Sequence, residues 1–542
     1  MYIEENVTIK EIDKVNIRFG HIYPDIYTNA MSSLGYLLVY HLMNERDDCF
    51  CERIVYPNTK SIETDTPLKD FDILNFTIHT ELDYFKVIDI LKNSAIPLSR
   101  NERTNDDPLI IAGGPCVSAN PMPLSDFIDI LCIGEGEILL NELIDTYKKF
   151  KNPKGHLEKF MEIEGLYLPI FKNRTDIRLI TDMDEKFHIT SPIILKEKEG
   201  AKPINKIYLD VSRGCTRGCR FCLTGYIYRP VRETSAERLI AVAEECRKNS
   251  AIDTINLIGP AVSDYPNIEY LIESLQKRNF KVSVPSMRVE TVTKNFLLSL
   301  KKAGLKKLTI ALESTIKNRM SMNKNISEKT LRNLIKMALE LNFNLRLYFI
   351  IGFPNETEED ILKLTEFFKS IIDLKNQINE NLNLEFKISH LIPKAHTPLQ
   401  WENYNLDLSY QRMELIINQM NDLNLKLVYS ENDAPIYINE NKDVILEFNS
   451  PVAGLKQYVL SCGGSELGSL LIKKEENISI AEWKRYIPHY TLDSILPWED
   501  INMGFNENFL EKEYEKIKTL KPTPWCDISH CYMCKNNCLN NK

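Results

Sequence analysis

"KIYLDVSRGCTRGCRFC", residues 206–222, carries an apolar run straight into a loop with three cysteines, Cys215, Cys219 and Cys222, at CxxxCxxC spacing. A polar segment of helical period follows, "SAERLIAVAEECRKN". Strand, ligand-bearing loop and helix make one β/α unit. Five more apolar runs follow it: "TINLIGP", "FKVSVPSMR", "KKLTIALES", "LRLYFIIGFP" and "LEFKISHLIP". Helical stretches such as "NIEYLIESLQKRN" and "EKTLRNLIKMALELN" separate them. Six units predict a partial or complete barrel with its chemistry on the loops after the strands. The number of thiols sharpens this. A closed zinc site normally takes four ligands, and the loop offers three with no further cysteine or histidine nearby. A cubic iron–sulfur cluster held by three thiolates keeps one iron open to an outside ligand.

Working upstream, residues 16–140 alternate strand-like runs ("NIRFGHIYP", "RIVYP", "FDILNFTIH", "PLIIAGGP", "DILCIGEGE") with helical ones ("MSSLGYLLVYHLMN", "DYFKVIDILKNS"). That alternation predicts a doubly wound parallel sheet of Rossmann-like type, whose ligands bind at the carboxyl ends of the strands. The strand ends to watch are Pro24 and Asp25, Gly113 to Pro115, and Gly134 to Glu137. The fold class is therefore α/β. The expected division is 1–145 for the doubly wound domain, 146–203 for a charged connector, 204–402 for a (β/α)6-type barrel, and 403–542 for a helical, cysteine-rich tail.

At 542 residues the chain exceeds what one core fills, and about 150 residues per domain suggests three or four units. The net charge is −9 with lysines dispersed among acids, which excludes a large general phosphate-binding face while leaving a local nucleic-acid site open. The amino terminus lacks the basic-then-apolar pattern of a signal peptide, and no stretch nears the ~20 apolar residues of a membrane span. A cytoplasmic protein is expected. Thirteen cysteines without an export signal point to metal or cluster ligation rather than disulfides. Cys49, Cys51, Cys116, Cys132, Cys246 and Cys462 are scattered and read as small core residues. Cys526, Cys531, Cys534 and Cys538, with His530 among them, can close a site around a second cluster or a zinc ion. His21 and His79 read as hydrogen-bonded core or surface residues, and Trp401 as a packing residue with the substrate mouth as its other role.

The CxxxCxxC loop with Phe221 before its last cysteine resembles the signature of the radical SAM superfamily, over roughly residues 205–400. The resemblance implies a [4Fe–4S] cluster whose free iron chelates S-adenosylmethionine, and a one-electron cleavage that yields a 5′-deoxyadenosyl radical. It implies cofactor contacts at Gly259 of "LIGP", although the usual Gly-Gly-Glu is not intact there, and at Ser286 and Arg288 of "VPSMR". Glu313 of "ALES" and Gly352 of "IIGFPNET" complete that set. "YPDIYTNAMSSLG", "IAGGPCVSANP" and "CIGEGE" resemble the B12-binding domain fused to many such proteins, which implies cobalamin near Pro24, Asp25, Gly113, Gly114, Gly134, Glu135 and Gly136. The DxHxxG motif of other B12 proteins is absent; Tyr27 and Ala30 stand where its His and Gly would be. Together these imply an anaerobic, cobalamin-dependent methyltransferase acting on an unactivated carbon and served by a ferredoxin or flavodoxin. The alternatives are a methylthiotransferase modifying tRNA or protein, whose relatives carry three further cluster cysteines in the first domain, and a non-catalytic B12 or redox sensor.

Overall fold

The computed structural model describes residues 3–150, 152–196, 205–284, 287–431, 434–439 and 442–526. The amino-terminal sheet holds β1 (Ile17–Tyr23), β2 (Cys49–Val55), β3 (Ile73–Thr77), β4 (Leu109–Gly113), β5 (Ile130–Cys132) and β6 (Leu166–Tyr167), in the order β2-β1-β3-β4-β5-β6. The first five run parallel and β6 closes the edge antiparallel. Every residue of β2 and β3 is buried, as a parallel sheet covered on both faces requires. Among the covering helices are α1 (Leu34–Glu45), α2 (Tyr84–Asn93) and α3 (Gly136–Tyr147). The Ser33 side chain caps α1 by accepting from the Tyr36 N–H.

The second unit begins with β7 (Ile207–Asp210), β8 (Thr254–Ile258) and β9 (Lys281–Ser283), a parallel arc in that order. A second parallel arc follows: β10 (Lys307–Glu313), β11 (Asn344–Ile351) and β12 (Leu384–His390). Among the described residues no pairing joins β9 to β10. Amphipathic helices α4 (Ala236–Ser250), α5 (Ile268–Lys277), α6 (Lys294–Lys302), α7 (Glu328–Glu340) and α8 (Glu358–Asn379) alternate with these strands.

The tail holds more than helices. After α9 (Leu406–Met420) come β13 (Lys426–Glu431), β14 (Ala434–Ile438) and β15 (Val444–Phe448). β15 pairs in parallel with β12, so the barrel sheet continues beyond its sixth strand, and β13 and β14 form a hairpin at its edge. The alternating burial of β15 is the period-2 signature of a strand, within a segment expected to be helical. Helix α10 (Pro451–Cys462) and the residues after it turn back to the first domain. Tyr458, Trp483 and Trp498 share one apolar core with Phe76, Ile88 and Ile110. The last helix, α11 (Phe509–Thr519), lies against the barrel. Among the described residues no helix is long and apolar enough to cross a membrane.

Candidate active site at the domain interface

The cysteine loop leaves the end of β7 through Gly214, whose φ of +77° favours glycine. A Cβ there would lie 2.3 Å from the Tyr228 carbonyl oxygen and 2.6 Å from that of Pro230, so the loop tucks tightly beneath the returning chain. Cys219 is buried while Cys215 and Cys222 are half-buried. Burial, reinforced by the neighbouring Cys219, pushes the Cys222 thiol up to about 12. Arg288 Nη1 stands 3.7 Å from Cys219 Sγ, and its Nη2 donates to Glu290 at 3.0 Å. Among the described residues no three ligand side chains converge on a single metal ion. The three thiols lie within electrostatic reach of one another, and three sulfur donors with no fourth in the loop suit a cluster in which each thiolate takes a different metal. The donor set therefore fits the cluster expected of it.

The loop is gripped from two sides. On the carboxyl-terminal side, Arg220, fully buried between two of the cysteines, donates to Glu513 Oε2 on α11 at 3.0 Å and to the carbonyls of Ser321 and Lys521, each at 2.7 Å. Asn323 bridges the same parts, accepting from the Thr523 N–H at 2.9 Å and donating to the Gly218 carbonyl at 3.3 Å. Phe221 packs with Met322, Leu399 and Ile517. The chain continues over the loop: Trp525 covers the Arg217 guanidinium at 3.4 Å, and the Cys526 N–H donates to the Thr216 carbonyl at 3.1 Å. Cys531, Cys534, Cys538 and His530 lie outside the described residues.

On the amino-terminal side, Arg213 meets three carboxylates: Glu137 at 2.6 Å, Asp210 at 2.8 Å and Glu135 at 3.3 Å. Arg232 forks onto Glu135 at 2.7 and 3.0 Å. Burial raises the Glu135 pKa, but the two guanidiniums outweigh it and hold the carboxyl below its usual range. The "GEGE" turn of the first domain is thus tied to the strand that launches the cysteine loop.

Between the two domains opens a cavity of ≈ 680 Å³, within the size range of cofactor sites. Gly113, Gly114, Gly134, Gly136 and Glu135 line it from the first domain; Arg213, Gly214 and Gly259 line it from the barrel. Gly114 and Gly134 have φ of +118° and +129°. The need for glycine at both is internal: a Cβ would fall 2.2 Å from the Ile78 carbonyl oxygen and 2.0 Å from that of Arg178. Pro24 and Asp25 are not among the lining residues; the Asp25 carboxylate accepts from Asn29 and Lys86 instead. Cys132 lines the cavity, and all six scattered cysteines are buried. His21 spends both ring nitrogens, on the Tyr36 carbonyl and on Asn75 Nδ2. Trp401 is buried beside Tyr514.

Further round the barrel mouth, Glu313 ends β10 with φ +67° and pairs with Lys324 Nζ at 2.6 Å. The Gly352 N–H donates to Glu356 Oε1 at 2.9 Å. Glu356 also accepts from Asn318 Nδ2, and burial raises its carboxyl to about 7. Ser286 lies outside the described residues. The residues unforeseen in the sequence are Arg220, Glu513, Asn323 and Glu356. Only Glu356 carried a local signal, its place in "IIGFPNET" one residue before Thr357, the cap of α8.

Two family descriptions match the chain, "Radical SAM proteins, N-terminal" over residues 35–169 and "Radical SAM superfamily" over residues 209–368. An uncharacterized protein of Methanocaldococcus jannaschii, MJ0966, is 31% identical over 73% of this chain and 81% of its own length. The chain belongs to the radical SAM superfamily. A putative methylthiotransferase of the same organism, MJ0865, is 24% identical over 65% of this radical SAM chain and 74% of its own. Among solved structures, the radical S-adenosylmethionine methyltransferase TsrM of Kitasatospora setae, determined with cobalamin and a [4Fe–4S] cluster, superposes with a TM-score of 0.50. It covers 72% of this chain and 78% of TsrM at 12% identity, a likeness of fold.

Proposed function

We propose that this radical SAM enzyme is a cobalamin-dependent methyltransferase acting on an unactivated carbon, with a cluster on Cys215, Cys219 and Cys222 and cobalamin in the interdomain cavity. The single observation that carries the reading is that cavity, which runs from the glycine-bearing strand ends of the doubly wound domain to the first turn of the cysteine loop. When bound, the cluster would supply the electron that cleaves S-adenosylmethionine, and the cobalamin would carry the methyl group.

The chain's own part is alignment and insulation. Glu135 and Glu137 hold Arg213 and Arg232, and so fix the cavity wall relative to the thiols. Arg288 brings a positive charge to within 3.7 Å of Cys219 Sγ. Phe221 and the Arg220–Glu513 pair close the far side of the loop against water. Gly352, held by Glu356, would border the nucleoside. Reductant from a ferredoxin or flavodoxin and a cytoplasmic setting belong to the same proposal.

Similarity to MJ0865 raises methylthio transfer as a second reading. It calls for three cluster cysteines in the first domain; those there are buried, Cys49 and Cys51 along β2, Cys132 at the end of β5, and Cys116 donating to the His79 carbonyl. Anaerobic incubation of reconstituted, cobalamin-loaded protein with S-adenosylmethionine and reductant tests the proposal. Methylcobalamin and 5′-deoxyadenosine are the expected products; 5′-deoxyadenosine without any methylated cobalamin would reject the methyl-transfer role.

A further inference from the structure

We infer that the imidazole of His79 is the protein's axial ligand to cobalt in the interdomain cavity. The inference rests on the cobalamin reading above and adds a ligand that no sequence motif supplies. His79 stands just past the end of β3, the strand between β1 and β4 at the centre of the sheet. It is exposed, and what it is exposed to is the cavity, which has no other histidine among its described lining residues.

The ring is oriented as metal-ligating imidazoles are, by a hydrogen bond at its other nitrogen. Its Nε2 lies 3.0 Å from Ser33 Oγ, the cap of α1. The tautomer that donates Nε2–H to this oxygen leaves Nδ1 with a bare lone pair, and no partner among the described residues competes for it.

The backbone is fixed as firmly. The Ile78 N–H donates to the Gly113 carbonyl at 2.9 Å, Gly114 presses on the Ile78 carbonyl, and Cys116 Sγ donates to the His79 carbonyl at 3.1 Å. Gly114, placed by the sequence among the ligand contacts, therefore serves to hold the residue before the histidine. Tyr23 borders the ring at 5.7 Å between centroids.

Electron paramagnetic resonance of the full-length protein loaded with cob(II)alamin tests this without turnover. One axial nitrogen splits each cobalt line into a triplet, and growth on ¹⁵N-histidine converts the triplet to a doublet. His79→Ala and His79→Gln should abolish the splitting while retaining bound cobalamin, with circular dichroism showing that each variant is folded. A triplet that survives in a variant, or that ¹⁵N-histidine leaves unchanged, assigns the nitrogen to the cofactor's own base and overturns the inference. So does bound cobalamin with no nitrogen splitting. Failure of the wild-type protein to take up cobalamin would instead overturn the reading beneath it, and this inference with it.

Discussion

The two flanks of the cysteine loop use the same chemistry to different ends. Each sets a buried arginine beside the cysteines or the strand that launches them against a carboxylate from a distant part of the chain. On the carboxyl-terminal flank, Arg220 and Glu513 are both sealed from solvent, and Phe221, Met322 and Ile517 from the same segments pack with one another. On the amino-terminal flank, the Arg213 and Arg232 network borders the ≈ 680 Å³ cavity. The sealed flank is a buttress. The open flank is a joint between the two domains at the cavity, and the contrast shows how one loop is both held rigid and kept accessible.

The largest effect expected on either flank comes from the loop itself. Cys219→Ala should reduce S-adenosylmethionine cleavage to background, with iron lost on reconstitution, read by 5′-deoxyadenosine formation and iron analysis. The buttress should come next. Glu513→Ala leaves Arg220 buried without its carboxylate, a loss of about 3–5 kcal/mol, seen as a lowered thermal midpoint. Replacing both partners by apolar residues (Arg220→Met with Glu513→Leu) should recover most of that loss; no recovery would show that the pair is more than a buttress.

The joint should yield less. In Glu135→Gln, Arg232 still donates to the Ile180 carbonyl at 2.5 Å, and Arg213 keeps Asp210 and Glu137. The expected loss is about 1.5–3 kcal/mol, accompanied by weaker cobalamin retention and faster proteolysis of the connector. The same substitution leaving cobalamin binding intact would blur the distinction between the flanks.

The smallest effect is one of pH. Burial raises Glu356 to about 7. Since the folded carboxyl binds its proton more tightly than the unfolded one, its stabilising contribution is full below the ordinary carboxylate range and is lost as pH rises through about 7. The thermal midpoint of Glu356→Gln should therefore gain on wild type as pH rises from 4.5 to 8, by a few degrees (~2–4 °C per kcal/mol). A gap independent of pH would mean that Glu356 ionises normally.

How much of this was legible in the sequence follows from the range of the interactions. The alternation of apolar runs and helices is local, and it delivered the parallel sheet of the first domain, the parallel arcs of the barrel and the loop after β7. The three thiols carried their meaning in their spacing. The role of Gly114 and Gly134 did not show, because the Ile78 and Arg178 carbonyls that forbid a Cβ come from other turns. Asp25 stood at a strand end but found Lys86 nearer than the cavity. Arg220 looked like a bystander among cysteines; its partner Glu513 lies nearly three hundred residues on, and nothing local links them. β15 was lost between helices because a five-residue strand has little period to read.

The most direct measurement is the metal content of anaerobically prepared, reconstituted protein given cobalamin, compared with the Cys215→Ala, Cys219→Ala, Cys222→Ala triple variant. Two separate sites meeting at one cavity predict that the triple variant loses four irons per chain and keeps its one cobalamin. An iron content unchanged by the three substitutions, or wild-type protein that retains no cobalamin, would contradict it.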